Sequence, residues 1–406
     1  MMLQNRLEEK MQEANPPFVY AGVDNGEYLI AQTKDALQLM AIGKPGESQT
    51  AIETLIREAS RVKRFGFTEG EYERAKAAYQ SNLEKRYNER DKQRSNYYVQ
   101  QYVNHFLRQE PIPDITSLYT TMQQLMPHIP LTAINQVVSN MIPDNNRVLA
   151  IMGSTQETYP SKEAIVDLFA SIDAEPLEAY VDEAITEPLM AEMPTKGRVV
   201  KSTTVDSITT WTLSNGATVL VKPTTNKDDE VLISGFALGG LSVIPDKHMP
   251  EIRLMSRLFN QITGESVQSI GGVGPFNAVE LKKVLAGKNV GMSFSLDAYT
   301  QEISGNATVK DLETAMQLLY LSFTAVNANE EAYASFVARN KGLLENFASN
   351  PMVVFTDSLM SAAYGNNPRA RFITTDDVVK ADYATMLSLY KARFANAAPF
   401  TFTFVG

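Results

Sequence analysis

The sequence contains no cysteine, three histidines and one tryptophan in 406 residues. Without cysteine there can be no disulfide framework, no thiolate zinc site, no iron–sulfur cluster and no thiol nucleophile. A cysteine-free chain suits an oxidising space, where stray thiols are a liability, and this fits a periplasmic or extracytoplasmic location without fixing one. His105, His128 and His248 are each more than 20 residues from the next, so neither His-Glu-x-x-His nor His-x-x-Glu-His can be written. His248 and Glu251 are three apart, but Pro250 lies between them and no second histidine is near. Basic residues are also in deficit. With Lys+Arg 37 against Asp+Glu 47, the net charge is −10, which disfavours nucleic acid as a partner. The longest apolar run, Val231–Ile244, holds three glycines and is too short to span a bilayer. The N-terminal ten residues have no apolar segment of the signal-peptide kind.

What is present is ordinary globular composition, 44% hydrophobic and 21% charged, in a chain long enough for two or three cores. Leu3, Leu7 and Met11 mark an amphipathic helix that Pro16-Pro17 stops. Phe18–Val23 and Leu37–Ile42 read as strands. A helix follows at 47–65 and a largely helical stretch at 68–107, opened by a capping box from Thr68 to Glu71. Within it, Lys85–Arg94 mixes charges as a solvated face does. Tyr97, Tyr98 and Tyr102 offer aromatic faces to a peptide or sugar, but at helical spacing the packing of one face against a neighbour is the stronger reading. Short helices are expected at Ile115–Leu125 and Thr132–Asn140, a buried strand at Arg147–Gly153 and a helix at Ser161–Ser171.

Ala174–Pro194 changes character: it is acidic, carries three prolines and no Lys or Arg, and lacks an apolar period. It reads as the linker. Beyond it, Ile208–Leu213 and Ala217–Val221 flank Ser214-Asn215-Gly216, a hairpin whose Asn-Gly turn calls for positive φ at both positions. Glu230–Leu238 is a third strand, and one helix is expected at about Pro250–Thr263. Gly271-Gly272-Val273-Gly274 lacks the Gly-Lys-Ser/Thr of a phosphate loop and reads as a flexible connection. Helices at 278–285, 311–326, 329–347, 353–364 and 381–394 alternate with strands at 290–296, 302–307 and 400–405. Asp376-Asp377 and Glu330-Glu331 precede helices and complement their dipoles.

The two halves share an order of parts. Tyr72 and Glu84 are 12 residues apart, as are Tyr333 and Glu345. Each half closes on a Pro-bearing loop (Pro111-Ile112-Pro113; Pro368), a helix, and an apolar segment ending at Gly153 or Gly406. The fold class expected is α+β. It consists of two homologous units, each a mainly antiparallel sheet with helices on one face, the first lacking its opening hairpin and helix. The boundaries are 1–173 for the first domain, 174–205 for the linker and 206–406 for the second.

Several stretches resemble the pitrilysin/insulinase family of zinc peptidases, whose motif is the inverted His-x-x-Glu-His. They are Trp211-Thr-Leu-Ser-Asn-Gly-Ala-Thr-Val-Leu-Val-Lys-Pro-Thr224, Phe236-Ala-Leu-Gly-Gly-Leu-Ser242, Asn367-Pro-Arg-Ala-Arg-Phe372 and Tyr390 to Gly406, with Met2-Leu-Gln-Asn-Arg-Leu7 and Asn15-Pro-Pro-Phe18 in the first half. The resemblance implies a clamshell of four homologous domains around a chamber that receives peptide substrate. The first domain would carry zinc, the last an Arg–Tyr pair, and the second and third the chamber wall. This chain resembles most of the second domain, the linker and the third domain. Arg253, Ser256 and Arg257 then stand where the family's zinc motif has His, Glu and His. No metal or other cofactor is expected in this chain, and zinc is expected in a domain outside it. An Arg–Tyr pair cannot be placed, since Glu230–Leu238 holds neither residue. The implied function is that of a non-catalytic, chamber-forming portion of a zinc metallopeptidase, inactive alone. The alternative is an inactive scaffold or partner subunit of such a peptidase. Its partners would be peptide substrate and the remaining domains or a partner chain, with no membrane and no nucleic acid.

Overall fold

The computed structural model describes residues 1–28, 31–348 and 350–406. Two sheets organise them. The first is a ribbon of β1 (Tyr20–Tyr28) and β2 (Ala31–Ile42), paired antiparallel. The second has seven strands: β3 (Val199–Val205), β4 (Ile208–Leu213), β5 (Thr218–Lys222), β6 (Val231–Leu238), β7 (Val290–Leu296), β8 (Thr300–Ala307) and β9 (Thr401–Val405). Their spatial order is β3-β4-β5-β9-β6-β8-β7, and only β5 and β9 run parallel. The architecture is therefore α+β with a mostly antiparallel sheet.

The hydrophobic pattern explains which face is covered. Along β6 the exposure alternates: Ile233 and Ala237 are buried, while Leu232, Phe236 and Leu238 face outward. Helices cover the buried side. Phe394, Phe400, Phe402, Phe294 and Phe323 meet there in a chain of mostly edge-on rings. Around the ribbon, Leu7, Phe18, Ala21 and Ala51 form a smaller core, with the helices Met2–Lys10 and Ser48–Phe65 against β1 and β2.

Turn chemistry departs from the sequence reading in one place. Of the Asn215-Gly216 pair only Gly216 takes positive φ, 95°. The tight hairpin with both central residues left-handed lies instead at Asp206 (48°) and Ser207 (63°), joining β3 to β4. It makes a strand of residues 199–205, which the sequence reading had assigned to the linker. The rest of the linker is irregular but not loose. Asp182 accepts from Arg74 at 2.8 and 3.0 Å and from Lys283 at 3.3 Å, so it joins both halves. Burial alone would raise the Asp182 carboxyl; the Arg74 and Lys283 hydrogen bonds outweigh it and hold it below the usual carboxylate range. Tyr180 stacks over the Arg6 guanidinium and donates to Glu9 at 2.6 Å, and burial pushes its phenol well above the ordinary value.

Other expectations change as well. The capping box Thr68–Glu71 forms, and Glu71 also receives Arg6 in a buried pair at 2.6 Å. Lys85–Arg94 is not simply a solvated face: Glu89 is 2% exposed, accepts from the Asp229 backbone at 2.6 Å and faces Lys227 across the two halves. The helix Ser95–Arg108 buries none of its residues fully; Tyr97 and Tyr98 are half-buried, and Tyr98 packs between Tyr97 and the exposed Tyr102. β1 runs on through Asn25-Gly26, past the end expected at Val23. The glycines at 271–274 form a fixed turn rather than a flexible one: Gly272 has φ 86°, and a Cβ there would lie 2.2 Å from the Phe276 carbonyl oxygen. Arg147–Gly153, expected as a buried strand, is irregular, exposed and outside both sheets.

Candidate functional site

The helix expected over 250–263 is two helices. Met249–Leu254 ends, Ser256 turns extended (φ −69°, ψ 146°), and Arg257–Thr263 begins. The cause is local. The Ser256 hydroxyl accepts the Phe259 N–H at 3.2 Å, an N-cap, and donates to the Arg253 carbonyl at 2.7 Å. The extended backbone at Ser256 then bridges Leu296 at the end of β7. Ile252, Leu254, Met255 and Phe259 are buried on either side of the break and fix its position.

In an unbroken helix, residues 253 and 257 would be neighbours on one face. Here they part. Arg253 donates to both oxygens of Asp377, at 2.7 and 2.9 Å, and to the Pro368 carbonyl at 2.7 Å. Asp377 is also the N3 residue of the capping box that starts the helix Thr375–Lys380, so one carboxylate serves a cap and an ion pair. Arg257 instead reaches Glu302 on β8 at 2.8 Å, at the surface. Arg253, Ser256 and Arg257, which align in sequence with the motif positions, therefore do not converge on one helix face.

Zinc does not fit here. Arginine has no lone pair to give a metal, and the Ser256 hydroxyl is engaged with backbone on both sides of the break. Glu251 is buried and accepts from the Asp382 N–H at 3.0 Å; His248 stands 3.9 Å from it. His105 Nδ1 lies 2.8 Å from the Glu110 carbonyl oxygen on the surface. Among the described residues, no three His, Cys, Asp or Glu side chains group as metal ligands do. What the arrangement can do is mechanical. Arg253 ties the helix Met249–Leu254 to the turn at Pro368 and to the helix Thr375–Lys380. Close by, Tyr333 donates to the Ala381 carbonyl at 2.9 Å and stacks on Tyr383 with ring centroids 4.5 Å apart; burial pushes the Tyr333 phenol up to about 12.

Sequence reasoning missed Asp377 as the partner of Arg253, although Thr374 and Asp377 three residues apart spell a cap. It also missed Asp182, Arg74 and Lys283, whose meeting depends on how the linker folds back. A polar cleft of about 260 Å³ lies beside the helix Ser48–Phe65, lined by Lys10, Glu13, Glu47, Arg57, Glu58 and Arg61. Its charges are largely paired among themselves, Arg61 with Glu58 and Lys10 with Glu13.

No family model matches the sequence. Among curated proteins, a zinc protease PQQL-like protein of Arabidopsis thaliana is 26% identical over 86% of this chain and 33% of its own length. The probable zinc protease PqqL of Escherichia coli is 19% identical over the whole chain and 43% of its own length. The chain thus spans well under half of the curated relatives it matches. Among solved structures, the ferredoxin protease FusC, in complex with Arabidopsis ferredoxin, aligns over the whole chain and 45% of its own, with a TM-score of 0.54 and 17% identity. That similarity is one of fold. These matches make the chain a homologue of proteins named as PqqL and PQQL-like zinc proteases, related to a part of their length.

Proposed function

We propose that these residues form a non-catalytic, chamber-lining portion of a longer zinc metallopeptidase that cleaves peptides. The observation that carries the reading is the fate of Arg253, Ser256 and Arg257. In a chain related to zinc proteases, the positions that would hold zinc and activate water are filled by two ion-paired arginines and a serine that sits at a break in the helix. The sheet supports a wall function: helices cover one face, and β6 turns Leu232, Phe236 and Leu238 out on the other. In this reading 1–173 is an incomplete unit, 174–205 the connection and 206–406 a complete non-catalytic unit. Zinc, the remaining domains and the peptide-binding Arg–Tyr pair lie outside these residues. Among the described residues no helix is long and apolar enough to cross a membrane. The cysteine-free sequence fits an extracytoplasmic compartment.

The test compares the 406-residue chain with the full-length product of its gene, using elemental analysis for zinc and hydrolysis of a quenched peptide. The chain alone is expected to hold no stoichiometric zinc and to cleave nothing, while the longer product holds zinc and cleaves in a chelator-sensitive way. Stoichiometric zinc and chelator-sensitive cleavage by the 406 residues alone would refute the proposal. An inert full-length product would favour the second reading, a scaffold or partner subunit. The Arg253 clasp supports that reading equally, because it suits a purely structural role.

A further inference from the structure

The run Lys85–Arg94 and the helix Ser95–Arg108 meet in a layer of planar side chains. Tyr87 stacks on the Tyr119 ring with centroids 4.4 Å apart, and the Arg90 guanidinium lies 4.4 Å from the Tyr87 centroid. Arg86 donates to the Tyr97 hydroxyl at 2.7 Å and lies over the same ring. Tyr98 meets Tyr97 edge-on and stacks with Tyr102. Around these rings the charges are unequal. Glu89 is buried and faces Lys227, while Lys85 and Lys92 turn to Glu230 and Asp228 of the second half. Arg90 has the exposed Asp91 at 3.7 Å. Arg86 and Arg94 are exposed, and among the described residues neither has a carboxylate within ion-pair distance. In a chain of net charge −10, this is a local reversal of sign. Along the helix runs an apolar stripe at helical spacing: Val99, Tyr102 and Phe106 are 55%, 59% and 80% exposed.

We propose that this surface docks an acidic segment of polypeptide, one that carries an apolar side chain next to its carboxylates. The argument is charge complementarity. A guanidinium offers only donors, in a fork that fits a carboxylate. Arg86 gives one nitrogen to the Tyr97 hydroxyl, and contact with that ring holds its plane. A guanidinium fixed in advance loses less freedom when it binds. The stripe through Val99, Tyr102 and Phe106 takes the apolar neighbour, which gives a use to the exposed rings of a helix that buries no residue fully. Nucleic acid fits less well. Its bases need successive open rings, and Tyr87, Tyr97 and Tyr98 are already engaged by other rings or by guanidinium within the molecule. The inference rests on the preceding reading for one point, that peptide is the natural ligand. It adds the class of peptide and a place in the first half where it docks.

Fluorescence anisotropy of a labelled peptide tests this, on the 406-residue chain and on the full-length gene product. The probe is a peptide of Glu-Glu-Phe-Gly repeats. Its counterpart has Gln for Glu, and a labelled oligothymidylate of equal charge stands for nucleic acid. The acidic probe should bind both proteins, weaken as salt rises, and weaken about 10-fold when Arg86→Gln and Arg94→Gln are combined. Phe106→Ala, which removes an exposed ring and no charge, should weaken it about 3-fold. Lys380→Gln, an exposed charge in the second half, should leave binding unchanged. Equal binding of the Gln counterpart, an unaffected double arginine variant, or binding by the short chain but not by the longer product would overturn the proposal. So would oligothymidylate bound at least as tightly through the same two arginines, which would make the surface one for nucleic acid. The readout is independent of hydrolysis. An inert full-length product that holds the probe through Arg86 and Arg94 would sink the peptidase reading and leave this one standing; a product that cleaves peptides but does not bind the probe would do the reverse.

Discussion

Arg253 and Arg257 occupy equivalent places in the sequence motif, yet the structure makes their removal unequal. Consider Arg253→Met and Arg257→Met, which keep most of the aliphatic stem. At Arg253 the pair is largely withdrawn from water, with side-chain exposures of 17% and, for Asp377, 9%. Losing the guanidinium leaves the Asp377 carboxylate held only by the Thr374 N–H at 2.8 Å and hydroxyl at 2.7 Å, both on one oxygen. It also strips the Pro368 carbonyl of its donor. Breaking a buried pair from one side costs about 3–5 kcal/mol, and the remaining cap puts this case at the low end, roughly 3 kcal/mol. The Arg257–Glu302 pair, with exposures of 49% and 32%, is a surface contact whose loss costs under about 1 kcal/mol. For a cooperative unit of this half's size, 1 kcal/mol moves Tm by roughly 2–4 °C, so about 6–12 °C is expected for Arg253→Met and at most a few degrees for Arg257→Met. Thermal and urea unfolding followed by circular dichroism measure both. A cycle with Asp377→Asn should return a coupling of about 2 kcal/mol. Equal losses for the two arginines, or an additive cycle, would refute the clasp.

Three further outcomes follow from the same contacts. Installing the motif as Arg253→His, Ser256→Glu and Arg257→His together should not create a stoichiometric zinc site by elemental analysis after dialysis, because the chain is extended at 256. Tight, stoichiometric zinc would mean that the Ser256 cap alone breaks the helix. Asp182 has a depressed carboxyl, so its contribution to stability is present above the unfolded value near pH 4 and fades as pH falls through the folded one. Asp182→Asn should cost about 2 kcal/mol at pH 6 and flatten the loss of urea stability between pH 5 and 3; parallel pH profiles for the two proteins would contradict this. Gly272→Ala places a Cβ against the Phe276 carbonyl at positive φ and should cost about 3 kcal/mol in a melting experiment, whereas a flexible loop would tolerate it.

Much of the second half was legible from sequence because its signals are local and mutually consistent. The alternation in 231–238 and the closing apolar strand each predict an element without reference to distant parts. Arg147–Gly153 carries the same apolar signal as β9 and still forms no ladder, because strand pairing needs neighbours that pattern alone cannot supply. The hairpin at Asp206-Ser207 was invisible for the opposite reason: neither residue advertises positive φ as Asn-Gly does, and the pairing of β3 with β4 imposes it.

For the candidate site, the sequence by itself determined the chemistry that is absent. No pairing of residues can make a ligand of arginine, so the identities at 253 and 257 exclude zinc from that helix whatever the fold. Only the tertiary structure decided what those residues do instead. The bridge from Ser256 to Leu296 breaks the helix, and Asp377, 124 residues beyond Arg253, arrives to take its charge. Both depend on packing between segments far apart in the chain, where a contact is set by the whole core and not by its neighbours in sequence.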